Sequence, residues 1–159
     1  MSRSITLGRI NKEIQNMRKN KNPDFHAAPV SSNNLEWHFT IRGPTETPYE
    51  KGIYHGKILL PSDFPMSPPD ISFFTESGRF EVNKKICLTI TSFHKEEWSP
   101  SWTIETILQA ISSMIPVPTP GAIGSIETPD EEVRQLALKS QTFKCPKCGE
   151  IRKIVRPRM

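Results

Sequence analysis

The spacing of apolar residues predicts that the chain begins with an amphipathic helix. Apolar residues near the N-terminus recur at steps of three and four positions, while basic residues fall between them. The apolar stripe consists of Leu7, Ile10, Ile14 and Met17. Ser4 or Thr6 is the expected N-cap, and the helix is expected to end at the Lys-Asn-Pro sequence at 21–23.

The pattern then changes to the alternation that is typical of strands. Apolar residues at 35, 37, 39 and 41 alternate with Glu36, His38, Thr40 and Arg42, which predicts a strand buried on one face only. Further strands are expected near 25–28, over 53–60 and over 71–74. Because the connections between them are short, the four strands are predicted to form an antiparallel meander.

Helical spacing returns in the last third of the chain. One stripe predicts a long helix with Ser101 as its N-cap and Pro116 beyond its end; its members are Ile104, Ile107, Leu108, Ile111 and Ile115. Thr128-Pro129-Asp130-Glu131 predicts a capping box for another helix that ends near Phe143. The expected fold class is α+β, with one domain over 1–143 and a short basic tail over 144–159.

Composition and charge narrow the function classes. With 159 residues and 35% hydrophobic content, one globular domain is expected. Residues 1–24 and 139–159 carry an excess of Lys and Arg, whereas the body between them is acidic. Basic ends favour acidic protein partners, and they do not favour nucleic acid because no aromatic residues are interleaved with the basic ones. No apolar run approaches the roughly 18 residues of a membrane span.

Cys87 is the candidate nucleophile, although its neighbours leave two interpretations open. It lies in the apolar triplet Ile86-Cys87-Leu88, which is typical of a buried cysteine that packs as a small hydrophobe. Lys84 and Lys85 precede it and would lower the pKa of a nearby thiol if their side chains pointed towards it. The odd count of three cysteines favours a reducing compartment.

Six short motifs follow one another between residues 41 and 104. They are I-R-G-P at 41–44, T-P-Y-E-K-G at 47–52, Y-H-G-K-I at 54–58, F-P-M-S-P-P at 64–69, I-C-L at 86–88 and W-S-P-S-W-T-I at 98–104. The order of these motifs, together with the order of the predicted helices and strands, resembles that of the ubiquitin-conjugating enzymes. The segment from Gly78 to Leu88 and the long stretch between Cys87 and Trp98 resemble the branch of that family that acts in endoplasmic-reticulum-associated degradation and is usually tail-anchored.

The resemblance implies a chemistry and a set of partners. Cys87 would accept ubiquitin from the activating enzyme as a thioester and transfer it, with a RING-type ligase, to lysine or hydroxyl groups of protein substrates. No cofactor is implied. Trp98 is expected to pack under the active-site loop. The protein is expected in the cytoplasm as the sequence stands, or at the cytosolic face of the endoplasmic reticulum membrane if the natural chain continues into an anchor.

The chain departs from the family pattern at the catalytic positions. Ser77 stands where most members place the asparagine that stabilises the oxyanion, and Asn83 is a substitute candidate. Thr89 replaces the aspartate that prepares the incoming lysine, and His94, Glu96 and Glu97 are candidates to act as base or orienting acids in its place. The resemblance also implies a ligase-binding surface, which comprises Arg9, Lys12, Met66, Pro100 and Ser101.

Cys145 and Cys148 form a C-P-K-C-G motif, which is half of a zinc site. The sequence contains no second CxxC, and its four histidines, at positions 26, 38, 55 and 94, lie far upstream. We therefore expect no metal site within one chain, although a second copy of the chain would complete a set of four cysteines.

Two alternative functions remain open. The first is a non-catalytic binding module with the same fold, which the loss of asparagine at position 77 favours. The second is a cysteine hydrolase, which would require Cys87 to pair with His94.

Overall fold

The computed structural model of the protein describes residues 3–86 and 96–159. Its order of elements confirms the α+β class: an N-terminal helix, a four-stranded sheet and further helices. The helices are α1 (Arg3–Lys19), α2 (Ile104–Met114) and α3 (Asp130–Ser140); the sheet contains β1 (Phe25–Pro29), β2 (Glu36–Arg42), β3 (Ile53–Leu59) and β4 (Asp70–Phe73). A hairpin of β5 (Lys144–Cys145) and β6 (Gly149–Glu150) follows, and a 3₁₀ turn spans Ile151–Lys153.

The four main strands form an antiparallel meander in sequence order, as predicted. In the register between β2 and β3, Trp37 lies opposite Ile58 and Thr40 lies opposite His55. Because residues paired across antiparallel strands share a face, these two pairs lie on opposite faces of the sheet.

The main core lies between one face of the sheet and the helices α1 and α2. Trp37, Phe39 and Phe73 are fully buried there. They pack in one cluster with Ile10 of α1 and with the apolar stripe of α2, which includes Ile107. The apolar stripe of α2 therefore faces the main core, as its periodicity predicts.

The other face of the sheet is also buried, so the prediction that β2 is buried on one face only is wrong. His38 and Thr40 have exposed fractions of 5% and 1%. The chain after α3 covers them: Phe143 packs against the ring of His55, and Ile151 packs against Ile53. The alternation within β2 does not indicate this second layer, because its residues on that face are polar. They can be buried because their side chains form hydrogen bonds within the sheet.

The first helix differs from its prediction in which residues it buries. Leu7 is 49% exposed, whereas Thr6 and Glu13 are buried. Glu13 is buried because its carboxylate accepts hydrogen bonds from Arg9 and from the backbone of Ile104. Ser4 and Thr6 lie within the helix, so neither is its N-cap.

The caps of the later helices also differ from their predictions. The side chain of Thr103, not Ser101, caps α2 by accepting a hydrogen bond from the backbone N–H of Thr106. Pro129 occupies the N-cap of α3, so Thr128 does not form the predicted capping box. α3 ends at Ser140, before Phe143, because the chain turns there towards the sheet.

Beyond α3, the segment 141–159 packs on the domain. Arg158 donates hydrogen bonds to the carbonyl oxygen of Gly43 and to the carboxylate of Asp24. Ile151 and Val155 are buried in a small cluster with Ile53. Among the residues that the structure describes, no helix is long and apolar enough to cross a membrane.

Candidate functional site

The predicted nucleophile, Cys87, and the candidate base, His94, lie outside the described residues. The described chain reaches Ile86 on one side of them and resumes at Glu96 on the other. Ile86 is completely buried, and its N–H donates to the carbonyl oxygen of Ile71 at 3.0 Å. The backbone that leads to position 87 is therefore held against the last strand of the sheet.

The segment 79–86 is fixed by backbone hydrogen bonds on two sides. Asn83 donates its N–H to Phe73 at 2.7 Å, and Glu81 donates its N–H to Gly124 at 2.8 Å. Phe80 forms an isolated bridge with Ser125. The loop after α2 and the edge of the sheet therefore enclose this segment from both sides.

Arg79 joins the same segment to the end of α2. Its guanidinium group is buried and donates to the carbonyl oxygens of Ile115 and Val117 and to the hydroxyl of Ser125. The guanidinium also lies over the ring of Phe80, 4.4 Å from its centroid. Burial lowers the pKa of Arg79, yet a guanidinium remains charged in proteins, so the helix-end carbonyl groups stabilise its charge.

Ser77 has a structural role in the turn that precedes this segment. It is 3% exposed, and its hydroxyl oxygen accepts the backbone N–H groups of Arg79 and Phe80, at 3.1 and 3.3 Å. Only its hydroxyl hydrogen is free for a further acceptor. That Ser77 supplies the oxyanion donor stays a prediction, because it depends on the position of Cys87.

Asn83 and the two lysines before Cys87 lie at the surface. Asn83 has a left-handed backbone with φ of 58°, a conformation that asparagine tolerates in turns. Lys84 forms an ion pair with Glu81 at 2.9 Å, and Lys85 forms one with Asp70 at 3.1 Å. These acids partly offset the positive field that the lysines would supply to a neighbouring thiol.

The structure brings together the three segments of the predicted ligase-binding surface. Arg9 of α1 donates from its two terminal nitrogens to the carbonyl oxygens of Pro100 and Trp102, each at 2.6 Å. Its guanidinium also lies 5.5 Å from the centroid of Phe64. Arg9 therefore acts as a bridge between α1, the proline-rich loop and the loop before α2.

The remaining members of this surface are exposed around Arg9. Met66 has half of its surface exposed, and Lys12, Pro100 and Ser101 are also exposed. Trp98 lies behind them: its indole N–H donates to the carbonyl oxygen of Pro65 at 2.7 Å, and its ring packs on Trp102. These contacts support a structural role for Trp98.

A separate polar cluster lies on the second face of the sheet. His38, His55, Cys145 and Cys148 place one nitrogen or sulfur atom each within 4.8 Å of one another. The strand register brings the two histidines to the same face, which the sequence could have indicated. The return of the C-P-K-C-G turn to that face could not be predicted from local patterns, and so the cluster was missed.

Burial shifts the pKa values of two members of this cluster, His55 and Cys148. Desolvation, with a smaller contribution from the nearby His38, lowers the pKa of His55 to about 4. Desolvation and the neighbouring Cys145 raise the pKa of Cys148 to about 11. A thiol with a raised pKa is a poor nucleophile at neutral pH, which argues against Cys148 as a second catalytic cysteine.

Comparison with known proteins identifies the class. Residues 9–132 match the sequence profile described as Ubiquitin-conjugating enzyme. The chain therefore belongs to the ubiquitin-conjugating enzyme family, in agreement with its helix, four-stranded meander and later helices.

Individual relatives are similar over most of this chain. Ubiquitin-conjugating enzyme E2 J1 of Homo sapiens is 47% identical over 153 residues, which cover 96% of this chain and 48% of the relative. Ubiquitin-conjugating enzyme E2 32 of Arabidopsis thaliana is 47% identical over 133 residues, 84% of this chain and 43% of the relative. Ubiquitin-conjugating enzyme E2 J2 of Homo sapiens is 44% identical over 135 residues, with coverages of 85% and 52%. The chain spans about half the length of these relatives.

Proposed function

We propose that this chain is a ubiquitin-conjugating catalytic domain that carries ubiquitin as a thioester on Cys87. The proposal rests on membership of the family together with one structural observation. The buried Ile86, bonded to Ile71, fixes the backbone directly before Cys87 at the end of the sheet. A reactive group held on a rigid scaffold is suited to repeated transfer between large protein partners.

The proposed reaction consists of two acyl transfers at one sulfur atom. In the first, the Cys87 thiolate attacks the ubiquitin carbonyl carbon in the thioester on the activating enzyme, and the activating enzyme's thiolate leaves. In the second, a substrate amine attacks the new thioester, the Cys87 thiolate leaves, and the amine loses a proton. Neither step consumes water, so no hydrolytic triad is required.

The second step needs a donor for the developing oxyanion and an acceptor for the amine proton. Ser77 is proposed as the donor through its remaining hydroxyl hydrogen, with Asn83 as the alternative. His94 is proposed as the acceptor, because the family's usual aspartate is replaced by Thr89. Lysine is the expected acceptor of ubiquitin, and a hydroxyl group is the alternative.

The surface around Arg9 is proposed to bind a RING-type ligase. Met66 offers an exposed apolar contact, and Lys12 on α1 offers an exposed positive charge. The bridge from Arg9 to Pro100 would keep the docking loops in a fixed arrangement before the ligase binds. Degradation of endoplasmic reticulum proteins is the proposed process, because the segment 78–88 resembles that branch of the family.

A non-catalytic module of the same fold is the second candidate. Its specific support is Ser77, which already accepts two backbone N–H groups in a buried turn and is shorter than asparagine. In such a module, Cys87 would pack as an apolar residue and never become charged with ubiquitin.

A charging assay separates the two candidates. The wild-type chain is incubated with activating enzyme, ubiquitin and ATP, and the products are separated with and without a reducing agent. We expect a ubiquitin adduct that the reducing agent cleaves, that Cys87→Ala abolishes, and that Cys87→Ser converts to a reductant-resistant ester. Cys148→Ser keeps Cys87 and should still form the reducible adduct, which shows that the adduct does not depend on the other candidate thiol. A wild-type chain that never charges, although folded by circular dichroism, would establish the non-catalytic module.

A further inference from the structure

We propose that His38, His55, Cys145 and Cys148 bind one zinc ion, which attaches the C-terminal segment to the sheet. The expectation of no metal site rested on the distance of the histidines along the sequence. In the structure the histidines and the cysteines are close in space, because β2 and β3 place both histidines beside the C-P-K-C-G turn. This inference is independent of the proposed conjugating activity.

The separations of the four ligand atoms fit a tetrahedral zinc site. With Zn–S near 2.3 Å and Zn–N near 2.0–2.1 Å, sulfur and nitrogen ligands lie about 3.6 Å apart. The Nδ1 atom of His38 lies 3.6 Å from the sulfur of Cys145 and 3.4 Å from that of Cys148. The whole set lies within 4.8 Å, so small side-chain adjustments would complete the tetrahedron.

Each histidine is already oriented by a hydrogen bond from the nitrogen that would not bind metal. His38 donates from Nε2 to the carboxylate of Glu36 at 2.9 Å, which leaves the lone pair of Nδ1 directed at the sulfurs. Nδ1 of His55 bonds to the hydroxyl of Thr40 at 2.9 Å, which leaves Nε2 for the metal. Such outer partners fix the tautomer and ring orientation of histidine ligands in zinc sites.

One buried nitrogen atom of this cluster lacks a hydrogen-bond partner. Among the described residues, Nε2 of His55 has no hydrogen-bond partner, although the residue is only 1% exposed. Whichever tautomer His55 adopts, its bond to Thr40 uses Nδ1, so Nε2 stays unsatisfied. A buried unsatisfied nitrogen is costly, and coordination to a metal would satisfy it.

The turn that carries the cysteines has the local form that a metal site needs. Cys145 ends β5 and is buried, and Cys148 is followed by Gly149, which begins β6 with φ of +83°. That left-handed position favours glycine and lets the chain reverse directly after the second cysteine. Both sulfurs thereby reach the same atom, Nδ1 of His38, which has only one lone pair to share.

The ligand set determines both the metal and its role. Two thiolates and two imidazoles in a tetrahedron are typical of zinc. Two thiolates also balance the charge of Zn²⁺, so the buried site would be neutral. All four positions are filled by protein atoms and none is open to a substrate, which is the form of a structural site. We therefore assign the metal the role of fixing residues 144–159 over the second face of the sheet.

Metal content and its dependence on the ligands test this assignment. The full chain, purified under reducing conditions and offered Zn²⁺, is dialysed and measured by native mass spectrometry and by elemental analysis. We expect one zinc per chain in a monomer, and a Co²⁺ derivative with the intense visible absorption of a tetrahedral site. Chelation should lower the melting temperature, and one equivalent of Zn²⁺ should restore it.

Variants assign the ligands and separate loss of metal from loss of fold. His55→Gln and Cys148→Ser should lose stoichiometric zinc, whereas the exposed His26→Gln and the variant Cys87→Ser should retain it. Glu36→Gln should fold and bind zinc about 10–100-fold more weakly, because Glu36 positions His38 without touching the metal. A wild-type chain without zinc, a disulfide between Cys145 and Cys148 in the reduced preparation, or zinc found only in dimers would overturn the proposal. Full retention of zinc by His55→Gln would overturn it as well.

Discussion

Arg79 donates a hydrogen bond from Nε to the carbonyl oxygen of Ile115 at 3.0 Å, and so ties the segment before Cys87 to the end of α2. Several acceptors converge on the guanidinium group of Arg79, a residue whose exposed fraction is 3%. Arg79→Met should lower the free energy of unfolding by about 3 kcal/mol, because buried carbonyl groups lose a charged donor. Chemical denaturation measures this loss.

The exposed Arg134 on α3 is the matched control for Arg79. Arg134→Met removes the same side chain at the surface and should change the free energy of unfolding by no more than about 0.5 kcal/mol. Equal losses in the two variants would mean that the buried network contributes nothing specific.

Gly124 lies against the backbone that leads to Cys87. A Cβ atom at this position would lie 2.8 Å from the carbonyl oxygen of Lys85 and 3.2 Å from Cα of Ile86, and its φ is +81°. Gly124→Ala should therefore displace residues 85–86 and cost about 1–3 kcal/mol. We expect slower thioester formation on Cys87, measured by single-turnover charging.

Gly121→Ala is the control that separates the effect of backbone strain from the effect of a steric clash with residues 85–86. It has φ of +79°, almost the same as Gly124, but an added Cβ would meet nothing within 4 Å. Gly121→Ala should show the cost of the left-handed conformation alone and charge at the wild-type rate. If both variants charge equally slowly, the contact with Lys85 is not the cause.

The scaffold could be predicted from the sequence because its signals are local. The alternation in β2 and the helical stripe of α2 located those elements, and short connections gave the meander. The N-cap predictions at Ser101 and Thr128 were wrong because the residue at which a helix begins depends on where the helix packs, and local sequence does not report this. Thr103 caps α2 where the buried carboxylate of Glu13 accepts the N–H of Ile104.

The second face of the sheet could not be predicted, for a different physical reason. His38 and Thr40 have the polar character of a solvent-exposed face, yet both are buried, and contacts from beyond α3 contribute to covering that face. Those contacts join residues that are far apart in the chain; His38 and Cys148, for example, are 110 positions apart. Period-two alternation reports only on neighbouring positions, so it cannot indicate contacts between residues so far apart in the chain. The residue types are more informative, because histidine and cysteine are both ligands of zinc.

Glu13 joins α1 to the start of α2. Its carboxylate accepts the N–H of Ile104 at 2.9 Å and the Nε hydrogen of Arg9 at 2.9 Å, with almost no exposure to water. Glu13→Ala should lower the free energy of unfolding by about 3 kcal/mol, because the buried N–H of Ile104 and the Nε hydrogen of Arg9 lose their charged acceptor. Thermal and chemical denaturation measure the loss.

Glu13→Gln tests how much of this effect is due to charge. Its amide oxygen can still accept the N–H of Ile104, so the loss should be smaller than that of the alanine variant. Glu105→Gln, which alters an exposed acid in the first turn of α2, should cost less than about 0.5 kcal/mol. An alanine variant as stable as wild type would contradict the role of Glu13.

Met66 provides the sharpest test of the ligase-binding surface, because it is exposed and its side chain can be shortened without opening the core. Its exposed fraction is 50%, and Leu138 on α3 is a matched apolar residue that is 55% exposed. Met66→Ala should charge with ubiquitin normally and keep its basal discharge to free lysine. The acceleration of discharge by a RING-type ligase that stimulates the wild type should fall by about tenfold, because a central apolar contact contributes at least about 1–2 kcal/mol to binding. Leu138→Ala should keep that acceleration, so an equal fall in both variants, or no fall for Met66→Ala, would place the ligase elsewhere.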